Sequence, residues 1–83
     1  DGAFLIDGMA VLRDINRALR WNLPTNGPKT LNGFVLEHLE TIPEFNLCIQ
    51  IDEYQIETLQ IKDNIIKSLR IRRVDDDVRP PEL

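Results

Sequence analysis

Leu47-Cys48-Ile49-Gln50-Ile51-Asp52-Glu53-Tyr54-Gln55-Ile56 is the stretch on which the fold turns. Leu47, Ile49 and Ile51 alternate with Cys48 and Gln50, then Tyr54 and Ile56 alternate with Gln55 and Glu57. A period of two puts one face of a strand inside and the other in water. Asp52-Glu53 interrupts it as a turn, so the segment predicts two antiparallel strands. Leu59 and Ile61 then fall on the opposite parity, and a one-residue phase shift predicts a β-bulge near Glu57-Thr58. Lys62-Asp63-Asn64 supplies a second tight turn. In the strand that follows, Ile65, Leu69 and Ile71 are expected inward, and Ile66, Ser68, Arg70 and Arg72 outward. The three strands make an antiparallel meander.

Upstream of Pro43 the period is helical. Val11, Leu12, Ile15, Ala18 and Leu19 recur on one side of residues 9–21, with Arg13, Asp14, Asn16, Arg17 and Arg20 on the other, which predicts an amphipathic helix capped by Asp7 and ended by Leu23-Pro24. Pro24-Thr25-Asn26-Gly27-Pro28 is a loop, because Gly27 tolerates positive φ and each Pro lacks a donor. Thr30 stands at the N-cap of a second helix over residues 31–42, carried by Leu31, Val35, Leu39 and Ile42 and closed by Pro43. Gly33 near its start costs roughly 1 kcal/mol against alanine, which points to close packing or a sharp bend of the chain. Ahead of both helices, residues 3–6 are a short apolar run between Asp1-Gly2 and Asp7-Gly8, read as a buried strand. The predicted order is β-α-α-β-β-β: an α+β domain of two helices packed on a mainly antiparallel sheet. It occupies residues 1–74, and residues 75–83 form an acidic, proline-containing flexible tail.

Eighty-three residues hold one domain with one modest core. The net charge of -4 argues against nucleic acid, whose phosphates demand clustered cations. Lys67, Arg70, Arg72 and Arg73 are read as the one basic cluster of the chain, a charged strand face beside Asp75-Asp76-Asp77. No apolar run spans a bilayer. A lone cysteine, Cys48, makes no internal disulfide and fits a reducing compartment, which reads as cytosolic. Asp1 in place of an initiating Met reads as a segment of a longer parent.

Catalytic chemistry finds no foothold. His38 is the only histidine, and neither Cys48 nor Ser68 stands at a spacing that would pair it with that base. The expectation is a protein that is not an enzyme. Asp75, Asp76 and Asp77 are the weak metal candidates, since consecutive carboxylates offer oxygen ligands to a hard cation but lack the alternation and glycine of a built loop. Trp21 and Tyr54, with Leu23 and Phe45 beside them, are the candidates for a partner contact; burial of the aromatics is the alternative reading. Open edge strands leave a homodimer available.

Asp1-Gly2-Ala3-Phe4-Leu5-Ile6-Asp7-Gly8, Ile15-Asn16-Arg17-Ala18-Leu19, Leu23-Pro24-Thr25, Thr30-Leu31-Asn32-Gly33-Phe34-Val35-Leu36 and Ile42-Pro43, in that order, resemble the pattern of the CorC/HlyC transporter-associated domain. Residues 54–71 resemble its closing strand pair. Two departures stand at turns, where family members often have glycine and this chain has Phe45-Asn46 and Glu53. The resemblance implies a C-terminal accessory domain behind a membrane region and a pair of CBS domains. It implies a cytoplasmic position in a parent of the bacterial inner membrane, and a part in modulating magnesium and cobalt efflux through contacts with those domains. It implies no catalytic motif and no resident cofactor. The resemblance also groups the fold with a subdomain of flavin-binding oxidoreductases, so that AMP or FAD is the alternative ligand it suggests, beside the divalent cation that the acidic tail offers. No glycine-rich phosphate loop accompanies it here.

Overall fold

The computed structural model describes residues 2–74. In chain order the elements are β1 (Ala3–Asp7), α1 (Leu12–Leu19), α2 (Leu31–Leu39), β2 (Cys48–Ile51), β3 (Tyr54–Lys62) and β4 (Ile65–Arg73). The strands form one sheet of order β1-β4-β3-β2, antiparallel throughout. The architecture is the expected α+β arrangement of two helices on an antiparallel sheet. At the β3–β4 turn Asp63 and Asn64 both take positive φ, 54° and 66°, the geometry that lets a two-residue hairpin follow the twist of its strands. Asp and Asn tolerate it better than other side chains.

Helices and sheet meet over one core. Leu12, Ile15, Leu31, Phe34 and Val35 come from the helices, Leu23 from the loop between them, and Ile51, Tyr54, Ile56, Ile66, Leu69 and Ile71 from the sheet. Side chains of the opposite parity, among them Leu5, Cys48, Gln55, Glu57, Arg70 and Arg72, make the other face. Gly33 is explained by proximity: a Cβ there would stand 3.1 Å from Pro28 Cβ and 3.3 Å from Thr30 Oγ1, the oxygen that caps the helix by accepting from the Gly33 amide.

The structure departs from the sequence reading in five places. β1 is an edge strand, not a buried one: Phe4 pairs with Ile71 and Ile6 with Leu69, but Leu5 points to the open face and is 72% exposed. α1 starts at Leu12 because residues 10–12 are spent on a strand-like exchange, Leu12 N donating to the Lys29 carbonyl and Leu31 N to that of Ala10, with Val11 extended opposite Thr30. It ends when Arg20 enters the left-handed region at φ 57°. Asp7 therefore caps no helix; its Oδ1 accepts from Met9 N at 2.8 Å and closes the turn after β1. α2 stops at Leu39, since Glu40 takes φ 64° and turns its amide back to the Leu36 carbonyl, leaving Ile42 outside.

The fifth departure is in the long hairpin. The bulge falls at Leu59, one to two residues beyond its expected place, since Thr58 opposes Leu69 and Gln60 opposes Ser68. A second irregularity follows, Ile61 opposing Ile66, so that Lys67 is skipped on β4 and the parity of that strand changes. Ile66 is thereby buried in the core instead of pointing outward, and Ile65 is only half-buried. Thr58, the buried polar residue of the sheet, uses its hydroxyl to accept from Leu47 N at 2.8 Å and so fixes the chain leading into β2.

Candidate interaction surfaces

Catalytic groups stay apart. His38 is exposed, its Nδ1–H donating to the Phe34 carbonyl at 3.1 Å and its ring edge-on to Phe34. Cys48 is exposed on β2 beside a shallow recess of about 190 Å³ whose other lining side chains are Ala3, Gln55, Glu57, Arg70 and Arg72. No histidine lines that recess. Among the described residues no group of three or more His, Cys, Asp or Glu side chains could hold a metal ion. Asp75, Asp76 and Asp77 lie outside the described residues.

The side chains expected to form a partner contact separate. Tyr54, at the start of β3 opposite Ile51 and Arg73, is 2% exposed; its hydroxyl accepts from Asn22 N at 2.8 Å, and its ring packs on Trp21 at 5.2 Å between centroids. Leu23 is 1% exposed. Neither offers a surface: one aromatic and one aliphatic side chain fill the space under the carboxyl end of α1. Trp21 is half-buried, held between Tyr54 and the edge of Phe4, whose centroid is 5.6 Å away. Phe45 alone of the four stands free of the core, 78% exposed, with Ile42 exposed on the same loop.

What pins Leu23 is Asn16, a residue that composition and periodicity place only on the polar side of α1. Its Nδ2 donates to the Leu23 carbonyl at 2.9 Å and its Oδ1 accepts from Leu23 N at 2.8 Å. Asn32 acts likewise from α2, accepting from Ile66 N at 2.8 Å. Asparagine can donate and accept from one amide, which suits it to close a backbone pair; the sequence signal is no more than one asparagine within each helix.

The charges divide the surface. On the sheet's open face Arg70 reaches Glu57 at 2.9 Å and Arg72 reaches Gln55 at 2.7 Å, while at the sheet's end Arg73 reaches Glu53 at 2.8 Å. These contacts are exposed and stabilise little, about 0–1 kcal/mol for an ion pair, but they tie the arginines of β4 to β3 and to the turn before it. On the helical side a groove of about 440 Å³ opens between the amino end of α1 and the loop before α2, lined by Val11, Arg13, Asn26, Pro28 and Lys29 among others. No helix among the described residues is long and apolar enough to cross a membrane.

The comparisons with known proteins agree with one another. UPF0053 inner membrane protein YfjD of Escherichia coli K12 is 44% identical over 71 residues, which cover 86% of this chain and 17% of that protein. The crystal structure of a functionally unknown conserved protein from Haemophilus influenzae Rd KW20 superposes with a TM-score of 0.83 at 42% identity, over 89% of this chain and 91% of that one. A Xylella fastidiosa hemolysin's CorC_HlyC domain, solved in complex with Mg++ and Mn++, superposes with a TM-score of 0.75 at 25% identity, over 90% of this chain and 91% of that one. The family model for the CorC_HlyC transporter associated domain matches residues 1–75. This chain therefore belongs to the CorC/HlyC family of transporter-associated domains.

Proposed function

We propose that the domain is a non-catalytic accessory module of a membrane ion transporter, and that it modulates magnesium and cobalt transport by packing against the other domains of its parent. The observation that carries this reading is Phe45, a large apolar side chain 78% exposed on the loop between α2 and β2, with Ile42 exposed nearby. An exposed aromatic on a surface loop is the kind of anchor that domain contacts bury. The size of the Escherichia coli relative, of which this chain spans 17%, supports a parent with further parts to contact. We take a cytoplasmic pair of CBS domains as that partner.

The double substitution Ile42→Ser, Phe45→Ser tests it in the full-length parent. Both side chains lie outside the core, so the melting temperature of the domain is expected to stay within a few degrees of wild type, while magnesium or cobalt efflux by the parent changes. Unaltered efflux would remove this loop from the regulatory contact.

A second reading rests on the Xylella fastidiosa domain solved with Mg++ and Mn++. By that reading the domain senses a divalent cation, with Asp75, Asp76 and Asp77 as the ligands. Titration with magnesium, manganese, cobalt, AMP and FAD, followed by thermal unfolding, separates the two, because a ligand that binds only the folded state raises its melting temperature. Sensing through the tail predicts a saturable rise with a cation that disappears when the three aspartates are changed together to Asn. A rise that survives the triple substitution would take the tail out of the site.

A further inference from the structure

α1 turns a row of arginines to the solvent. Arg13, Arg17 and Arg20 follow one another at offsets of four and three, on the side of the helix opposite the buried Ile15, and all three are exposed. Lys29 lines the same groove of about 440 Å³ as Arg13. Residues 9–30 thus carry four cationic side chains and a single carboxylate, Asp14, in a chain whose net charge is -4. Asp14 approaches Arg17 only to 3.8 Å with both side chains largely in water, so it neutralises little. Glu37 comes nearest the groove from α2, its carboxylate about 4 Å from the position of a Cβ on Gly27, and Asp7 is engaged by the amide of Met9. Unlike Arg70 and Arg73 of β4, Arg13, Arg20 and Lys29 have no acidic partner among the described residues.

Apolar side chains flank both ends of this row. Met9 and Val11 are exposed at its amino end, and exposed Phe4 with half-buried Trp21 stand at its carboxyl end. Cations bordered by apolar and aromatic side chains are the composition of a surface that rests at the level of lipid headgroups. An acidic protein surface would match the charges and leave Met9 and Val11 without a role. We propose that the outer face of α1, with Lys29, docks on an anionic phospholipid bilayer surface. This contact is separate from any packing against other domains of the parent. The negative net charge does not forbid it, since charges more than about 10 Å from the contact are largely screened at 0.1 M salt.

The test is co-sedimentation of the chain with vesicles of phosphatidylglycerol and phosphatidylcholine in equal parts, and with phosphatidylcholine alone. Binding is expected to the first only, and to weaken as salt is added. Each cation near such a surface is worth about fivefold in partitioning, so the variant Arg13→Gln, Arg17→Gln, Arg20→Asn should lose on the order of 100-fold with its melting temperature kept; Asn is chosen at position 20 because it tolerates positive φ. A variant with the same net charge, Lys62→Gln, Arg70→Gln, Arg72→Gln, should bind as wild type does. Quenching of Trp21, the only tryptophan, by brominated phosphatidylglycerol should accompany binding. Equal losses in the two variants would reduce the effect to net charge and overturn the proposal. So would absence of vesicle binding, including the case in which the chain binds polyglutamate and ignores vesicles, which would assign the row to an acidic protein.

Discussion

Gly8→Ala is expected to cost about 3 kcal/mol or more of folding stability, at or beyond the upper end of what overpacking usually costs. Gly8 is buried where β1 hands the chain to α1. Its amide donates to the Lys67 carbonyl at 2.8 Å and its own carbonyl accepts from Asn32 N at 2.7 Å. A Cβ at this position would land on the carbonyl oxygen of Ile66, deep inside van der Waals contact, and 2.9 Å from its carbonyl carbon. The obstacle is backbone, and that backbone is held from its other side by Ile66 N donating to Asn32 Oδ1 at 2.8 Å. A flexible side chain could swing away; a strand tied into a sheet and to a helix cannot without giving up hydrogen bonds. Small domains have about 5–15 kcal/mol in total, so the variant should be close to unfolding at physiological temperature. Urea denaturation measures the loss from the midpoint and slope. A loss below about 1 kcal/mol would show that the β1–α1 connection shifts as a unit and that the close approach is not a constraint.

Gly8 also illustrates which parts of this fold were legible in the sequence. The six elements and their order follow from periodicity, because a run of residues carries its own pattern of inside and outside: period two in residues 47–56, period near 3.6 around Ile15 and Val35. What periodicity cannot contain is the partner. That β1 lies at the sheet's edge depends on its pairing with β4, more than sixty positions away, and the late start of α1 depends on the exchange of Val11 and Leu12 with Lys29 and Thr30. The bulge at Leu59 left a phase shift that could be read; the skipped Lys67 was hidden because Ile65 and Ile66 are adjacent isoleucines and either could be the inward one. Of the four surface candidates Phe45 stands exposed, while Tyr54 and Leu23 lie in the core, since an aromatic with a hydroxyl can be buried once a backbone amide reaches it. The arginines of α1 are legible as the polar side of a helix; that Arg13 shares a groove with Lys29 is not, because it depends on how the loop before α2 returns to the helix.

Asn16→Ala should be the second severe substitution, destabilising by about 2–4 kcal/mol. The side chain is small and lies on the polar side of α1, so neither volume nor charge announces it. Its amide satisfies both backbone groups of Leu23, a residue 1% exposed. Alanine removes the donor and the acceptor at once, and each buried group left without a partner costs about 1–3 kcal/mol. For a domain of this size that corresponds to a drop in melting temperature on the order of 10–30 °C. The lost contact also anchors the segment that carries Trp21 and Asn22 over Tyr54, so the fluorescence of Trp21 should shift toward that of a more exposed indole while the domain is still folded. Asn16→Asp separates hydrogen bonding from packing. It keeps an acceptor for Leu23 N but sets a carboxylate oxygen against the Leu23 carbonyl, so at neutral pH it should be no better than alanine. Protonation restores a donor, which favours the acid in the folded state. Its carboxyl should therefore titrate higher folded than unfolded, and the variant should regain stability on acidification and lose it as pH rises through the folded value. If the aspartate variant is as stable as wild type at neutral pH, the Leu23 carbonyl has another donor to turn to, and the amide of Asn16 acts through its acceptor alone.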